Sequence, residues 1–344
     1  MRKLLLVFVG FLTITFGVKA QNNNDGFESI LLASGDAAKL AQAYLNPAMD
    51  GLIYGMNSGW YHTAKVHKKF GFDISIGLNA SMVPSSDEIF RFADLNLVNT
   101  TANAPTAATV AGSNSLMTEV TFNGTVQGQN VSATFEMPGG VKDDLPLNAV
   151  PTPAIQFSMG LPGKLDAMIR VVPEVGSDDV KGNLFGFGLK KEITNWFGPM
   201  EKTPLHVSLL ASFTSMNVDY DIQADSSIDG SNQRAEFDLN SYTIEAIASL
   251  DFPVISIFGG FGYNSGNSDL KVLGTYELEY ETGQPAPNDT VTETVVDPLS
   301  LGFDASGFKA TLGTRLNLGF FKIFGSYSLQ EFNTLNAGIA FSFR

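Results

Sequence analysis

Only His62, His67 and His206 have ordinary pKa values near neutral pH. His62 and His67 stand five apart on a stretch of no regular period, beside Lys65, Lys68 and Lys69. That spacing is open to a metal pair, but it reads more naturally as solvated or interfacial side chains. His206 starts an alternating run on its polar parity. A hydrolase needs a histidine beside a serine or a carboxylate where substrate reaches it. No such constellation is legible, so neither a catalytic residue nor an enzymatic activity is expected. Residues 225–236, DSSIDGSNQRAE, place Asp225, Ser227, Asp229, Gly230 and Glu236 at positions 1, 3, 5, 6 and 12 of a calcium-loop pattern. Asn232 occupies position 8, where an apolar residue is usual, and the flanks read as strands rather than helices. The stretch is read as an acidic loop, with no metal and no cofactor expected. The glycines at Gly186 and Gly188, and at Gly259, Gly260 and Gly262, precede no helical pattern of the kind a dinucleotide fold requires. They are read as strand glycines.

The elements that would position these residues alternate with period two. Phe70, Phe72, Ile74, Ile76, Leu78, Ala80 and Met82 share one face, and the polar or small residues between them share the other. Further runs follow at residues 155–161, 165–171, 185–189, 205–213, 242–252, 255–263, 308–318, 321–328 and 335–343. Ten such runs suit the wall of a transmembrane antiparallel β-barrel, where every second residue meets lipid. Lys309 and Arg315 share the polar parity of their run, which assigns that face to the lumen, since a charge facing lipid near the midplane costs about 2–4 kcal/mol. Residues 119–127 and 130–137 read as a hairpin, and residues 271–280 with 290–296 as a second. The turns near Pro162, Pro253 and Gly319 are short and the other connections longer and acidic. This asymmetry puts the short turns, the N-terminal segment and the C-terminus on the periplasmic side and calls for an even strand number.

Composition agrees. Hydrophobic residues make up 44% of the 344 and charged residues 16%, with 27 Phe, 34 Gly and no Cys. The charged share is well below the roughly 25% of soluble domains, while no segment after residue 20 has the apolar run of a membrane helix. Residues 1–20 read as a cleaved signal, with Arg2 and Lys3 before an apolar core and Val18 and Ala20 at the cleavage positions. Its removal takes the basic count from 21 to 18 against 35 acids, net −17. Such a charge excludes nucleic acid as a partner.

Residues 21–69 differ from the rest and read as a small helical plug, ahead of a barrel over 70–344. Ala37, Leu40, Ala41 and Tyr44 form one apolar helical face, Ser34, Gly35 and Asp36 can cap it, and Asn46 with Pro47 is expected to break it. A signal, a helical plug bearing Asn46, Pro47 and Ala48, and a long-looped barrel together resemble the FadL/OmpP1/TodX family of outer-membrane channels for hydrophobic compounds. The run GWYHTAKVHKKFGFD also resembles the DUF6588-type barrels of Bacteroidetes, along the whole mature length. The first resemblance implies a 14-stranded barrel, with ten to fourteen strands allowed, and a hatch at Asn46, Pro47 and Ala48. It further implies passage of a hydrophobic small molecule, whose path could be lined by Leu40, Tyr44, Leu45 and Met49. Expected partners are outer-membrane lipid and the barrel-assembly machinery, which would read Phe341 and Phe343 on the last strand. Two other readings stay open: a non-transporting surface barrel whose outer loops bind a partner or stabilise the envelope, and a soluble secreted β-protein.

Overall fold

The computed structural model describes residues 27–176, 180–222 and 228–343. The signal and the residue after Phe343 lie outside them. The alternating runs form ten strands: β1 (Phe72–Met82), β2 (Ala149–Leu161), β3 (Leu165–Gly176), β4 (Val180–Glu192), β5 (Leu205–Asp221), β6 (Gly230–Asp251), β7 (Ile255–Glu281), β8 (Leu299–Leu318), β9 (Phe321–Leu329) and β10 (Thr334–Phe343). Each pairs antiparallel with its successor. β1 also pairs with β10, from Phe72 opposite Phe343 to Ser81 opposite Thr334, and this closes the ring. The protein is a transmembrane β-barrel of ten strands, the number the alternation gives, rather than the fourteen implied by resemblance. The other strands lie outside the ring, among them the two expected hairpins: Glu119–Val126 with Gln129–Glu136, and Thr290–Val296 against the far end of β7.

The outward row is apolar and exposed around the wall, for example Ile74, Ile76 and Leu78 on β1, Phe185 and Phe187 on β4, and Ile244 on β6. Nine or ten tilted residues per strand give a band of about 25 Å, a bilayer's hydrocarbon depth for barrels. Beyond the band the strands continue, although the sequence there reads as acidic loop. The reason is an inversion of both faces. On β5 the inward row changes from Ser208, Ser212 and Thr214 to Met216, Val218 and Tyr220, while the outward row changes from Leu209 and Phe213 to Asn217, Asp219 and Asp221. β6, β7 and β8 change in the same way, and the change follows one paired row, Ser215 to Asn240 to Asn267 to Asp304. Below this row the wall faces lipid and encloses polar groups. Above it the wall faces water and encloses an apolar core. We call this upper part the canopy.

The canopy's core is the N-terminal segment. Residues Phe27–Asp36 form a 3-10 turn kinked at Ser34, and helix α1 (Ala37–Met56) follows. Ile30, Leu40, Tyr44, Leu45, Met49 and Ile53 are at most 1% exposed among the inward residues of β5–β8 and of the hairpin Glu119–Val126 with Gln129–Glu136. α1 does not break at Asn46. Pro47 sits inside it, leaving the Ala43 carbonyl without its helical donor, and the amide of Val110, in the turn after the strand Thr106–Ala108, braces the next carbonyl, that of Tyr44, at 2.9 Å. Asp36 stands at the N-cap position without capping. Its carboxylate accepts from the amides of Val98 (2.9 Å) and Asn99 (3.0 Å) instead. Burial opposes its ionisation, but these amides outweigh burial and hold its carboxyl below the ordinary value. The helix thus occupies the long-connection end of the barrel, not the short-turn end expected of it. Among the described residues no helix is long and apolar enough to cross a membrane.

Candidate functional site

From Asn57 the chain leaves α1 and descends through the lumen to Gly71, where β1 begins at the short-turn end. Residues 57–69 pair with no strand, so their backbone groups need other partners at membrane depth. The inward side chains of the wall supply them. Cations and amides meet the carbonyls: Arg170 donates to Met56 (3.2 Å) and Ser58 (3.0 Å), Lys309 to Asn57 (2.9 Å), Gln156 to Trp60 (3.1 Å), and Lys190 to Thr63 (3.3 Å) and Lys65 (3.0 Å). Oxygen acceptors meet the amides: Ser249 accepts from Ala64 (3.1 Å), Glu192 from Val66 (3.3 Å) and Asp166 from His67 (2.9 Å). The polar lumen solvates a polypeptide.

Ion pairs lock this arrangement. Lys309 lies 2.5 Å from Glu245, which also accepts from the Tyr61 hydroxyl at 3.0 Å. Lys190 pairs with Asp166 at 3.0 Å and Arg315 with Asp251 at 2.9 Å. His67 stands between two carboxylates, Nδ1 3.1 Å from Asp166 and Nε2 3.1 Å from Asp73. Both ring nitrogens must therefore donate, which makes it an imidazolium. His62 meets Asp73 through Nε2 at 3.2 Å and the Arg315 guanidinium through Nδ1 at 3.1 Å, so its Nδ1 accepts and the ring is neutral. Asp73, Asp166, Glu245 and Asp251 are thus paired with His67, Lys190, Lys309 and Arg315, while Glu192 faces His206. Aromatic contacts add to the seal. Trp60 lies against Gly186 and Gly188, where an added Cβ would stand 3.0 Å from its ring, and the Arg170 guanidinium lies over the ring, 3.9 Å from its centroid.

The expected site residues are found elsewhere. Leu40, Tyr44, Leu45 and Met49 are packed in the canopy core, with the Tyr44 hydroxyl donating to Gly139 at 2.9 Å. Asn46 is exposed and donates to Asp50 at 2.8 Å, while Pro47 and Ala48 are buried in α1. Phe343 stacks on Phe72 at 5.1 Å and Phe341 tilts against Phe321 at 5.4 Å. His62 and His67 are luminal rather than solvated or interfacial, and His206 faces Glu192 at 3.0 Å. In the stretch with the calcium-like pattern, residues 225–227 lie outside the described residues, and Glu236 pairs with Arg234 at 3.1 Å. Among the described residues no cluster of carboxylates and histidines could hold a metal ion.

The wall residues Asp166, Arg170, Lys190 and Glu245 were not singled out in the sequence. Each sits on the polar parity of an otherwise apolar run, the signal that Lys309 and Arg315 also carry.

The fold is similar to several solved outer-membrane proteins. Ail, the attachment invasion locus protein of Yersinia pestis, aligns at 10% identity and a TM-score of 0.28, over 80% of this chain and 100% of that one. Neisserial surface protein A aligns at 10% and 0.24, over 79% and 97%. The outer membrane protease OmpT of Escherichia coli aligns at 8% and 0.28, over 80% and 99%. A search of curated proteins returned no match. The sequence profile of a family of unknown function, DUF6588, matches residues 1–343, and the chain belongs to that family.

Proposed function

We propose that this DUF6588 member is an outer-membrane surface barrel closed to solutes along its axis. Its short turns face the periplasm, and its canopy outside the cell serves as a binding surface or an envelope support. The observation that carries this reading is the threaded lumen. The thread is continuous with β1, and its backbone is bonded to β2, β3, β4, β6 and β8 through Gln156, Asp166, Arg170, Lys190, Glu192, Ser249 and Lys309. Passage along the axis would require breaking these bonds and the ion pairs together. No reaction is assigned, because neutral His62 is held by hydrogen bonds to Asp73 and Arg315 and His67 by ion pairs with Asp73 and Asp166. Liposome swelling with sugars and with hydrophobic probes tests the reading. Silence with both is expected, and swelling at the rate of an open porin would overturn it.

A second reading, passage of a hydrophobic small molecule past the N-terminal hatch, draws on the apolar inner face of the canopy around Leu40, Tyr44, Leu45 and Met49. Displacing α1 would expose that face to a ligand entering from outside. Uptake of fatty acids and alkanes by cells carrying the wild type or a variant lacking residues 26–60 tests it. Equal uptake by the two would remove this reading.

A further inference from the structure

We infer that the short-turn end carries a site for the phosphate headgroup of anionic phospholipids, formed by Lys65, Lys68, Lys69 and Phe70. It rests on the reading of this chain as a membrane barrel with its short turns at one bilayer face.

The first observation is strain. Phe70 has φ 63° and is 63% exposed. A bulky side chain rarely adopts that conformation, and strained residues of this kind gather where a side chain must be aimed. Backbone bonds hold it there: the Phe70 amide donates to Gly160 at 2.7 Å and the Gly71 amide to Lys68 at 2.8 Å. Phe70 lies in the turn just before β1, two residues ahead of Phe72, which heads the outward row (Phe72, Ile74, Ile76, Leu78) and packs on Phe157 (5.7 Å) and Phe343 (5.1 Å). The exposed ring therefore stands at the short-turn end, next to the start of the lipid-facing row, where barrels carry an aromatic girdle.

The second observation is charge. The protein as a whole is acidic, at −14. At this end, Lys65, Lys68 and Lys69 are exposed on one short segment, and the Lys69 ammonium lies 5.3 Å from the Phe70 centroid. The neighbouring carboxylates Asp73, Asp166 and Glu192 are buried and bonded inward. Among the described residues, none of the three ammonium groups pairs with a carboxylate. Lysines beside interfacial aromatics suit a phosphate that sits just above acyl chains. The exposure of Phe70 immediately before the lipid-facing row favours a lipid over an acidic soluble protein.

The test is native mass spectrometry of the full barrel with phosphatidylglycerol or phosphatidylcholine of the same acyl chains. With each lysine near a membrane surface contributing about 1 kcal/mol, retention of phosphatidylglycerol should exceed that of phosphatidylcholine about tenfold or more. The preference should shrink in high salt. The triple variant Lys65→Gln, Lys68→Gln, Lys69→Gln should lose it, and Phe70→Gly should weaken it with the lysines intact. Equal retention by the wild type, a preference insensitive to salt, or binding of an acidic peptide in place of the lipid would overturn the inference. So would displacement of the lipid by inorganic phosphate at low concentration, which would mark a site for the free anion. If the triple variant fails to assemble, the salt dependence of the wild type decides. A barrel that does not enter bilayers at all would refute the membrane reading, whereas one that enters without lipid preference refutes only this site.

Discussion

The guanidinium of Arg170 lies 3.9 Å from the centroid of Trp60, and it donates to the carbonyls of Met56 and Ser58. Wall and thread are thus joined by a cation that has no carboxylate partner among the described residues. Arg170→Ala would leave the Met56 carbonyl and the Gln156 oxygen without that donor, and the Ser58 carbonyl with only the Asn79 amide at 3.4 Å. It should cost about 2–4 kcal/mol, read as an earlier thermal transition on heat-modifiable gels. Arg170→Lys should fall between, since an ammonium has neither the planar face nor the fork. A loss no larger than a surface substitution gives would contradict the role of the clamp.

Glu245 and Lys309 are both buried and joined at 2.5 Å, and each also bonds to the thread. Removing one partner of a buried pair costs about 3–5 kcal/mol, because the other charge is stranded. Glu245→Ala should therefore be severe. Glu245→Gln combined with Lys309→Met should recover more than half of that loss in the same thermal assay. Additive effects would contradict the coupling.

Asp50 lies on α1 in the canopy. Burial, then the carboxylates of Glu331 and Asp87, push its pKa from 3.8 up to about 7, against a hydrogen bond from Asn46. The folded protein thus binds a proton that the unfolded chain gives up near pH 4. The resulting stability is fully present below about pH 4 and is lost as pH rises through 7. Thermal midpoints of wild type and Asp50→Asn should converge at pH 4 and separate by pH 8, with the variant the more stable. Parallel profiles would contradict the assignment.

The canopy inversion separates two sets of residues on one strand. Leu239 faces the α1 core and is fully buried, whereas Ile244, on the opposite parity below the inversion row, faces lipid. Leu239→Ala should cost about 2–4 kcal/mol and open the canopy to protease on intact cells, with the barrel still assembled. Ile244→Ala should leave protease resistance unchanged. Equal protease sensitivity in the two variants would contradict a separate canopy core.

The membrane part of the fold was readable because a lipid-facing wall imposes one rule on every strand: Phe185, Phe187 and Leu189 point out as plainly as Phe341 and Phe343 do. The canopy was hidden by the same rule. At Asn217, Asp219 and Asp221 the outward parity turns acidic, while the inward parity turns apolar at Met216, Val218 and Tyr220. The alternation persists with its sign reversed, and short acidic windows of that kind resemble loops. Pro47 pointed to a break because local sequence does not reveal Val110 arriving at the Tyr44 carbonyl. The lumen was half visible. Lys309 and Arg315 marked its face, but nothing local says that Lys190 and Glu192 will bond to the backbone of residues 63–66 more than 100 positions away.

The most direct test of the closed, threaded barrel is single-channel conductance of the purified protein in a planar bilayer. The account predicts a flat baseline for the wild type, with brief openings for Arg170→Ala as the thread loosens. Steady, ohmic openings of the wild type with the thread in place would contradict it.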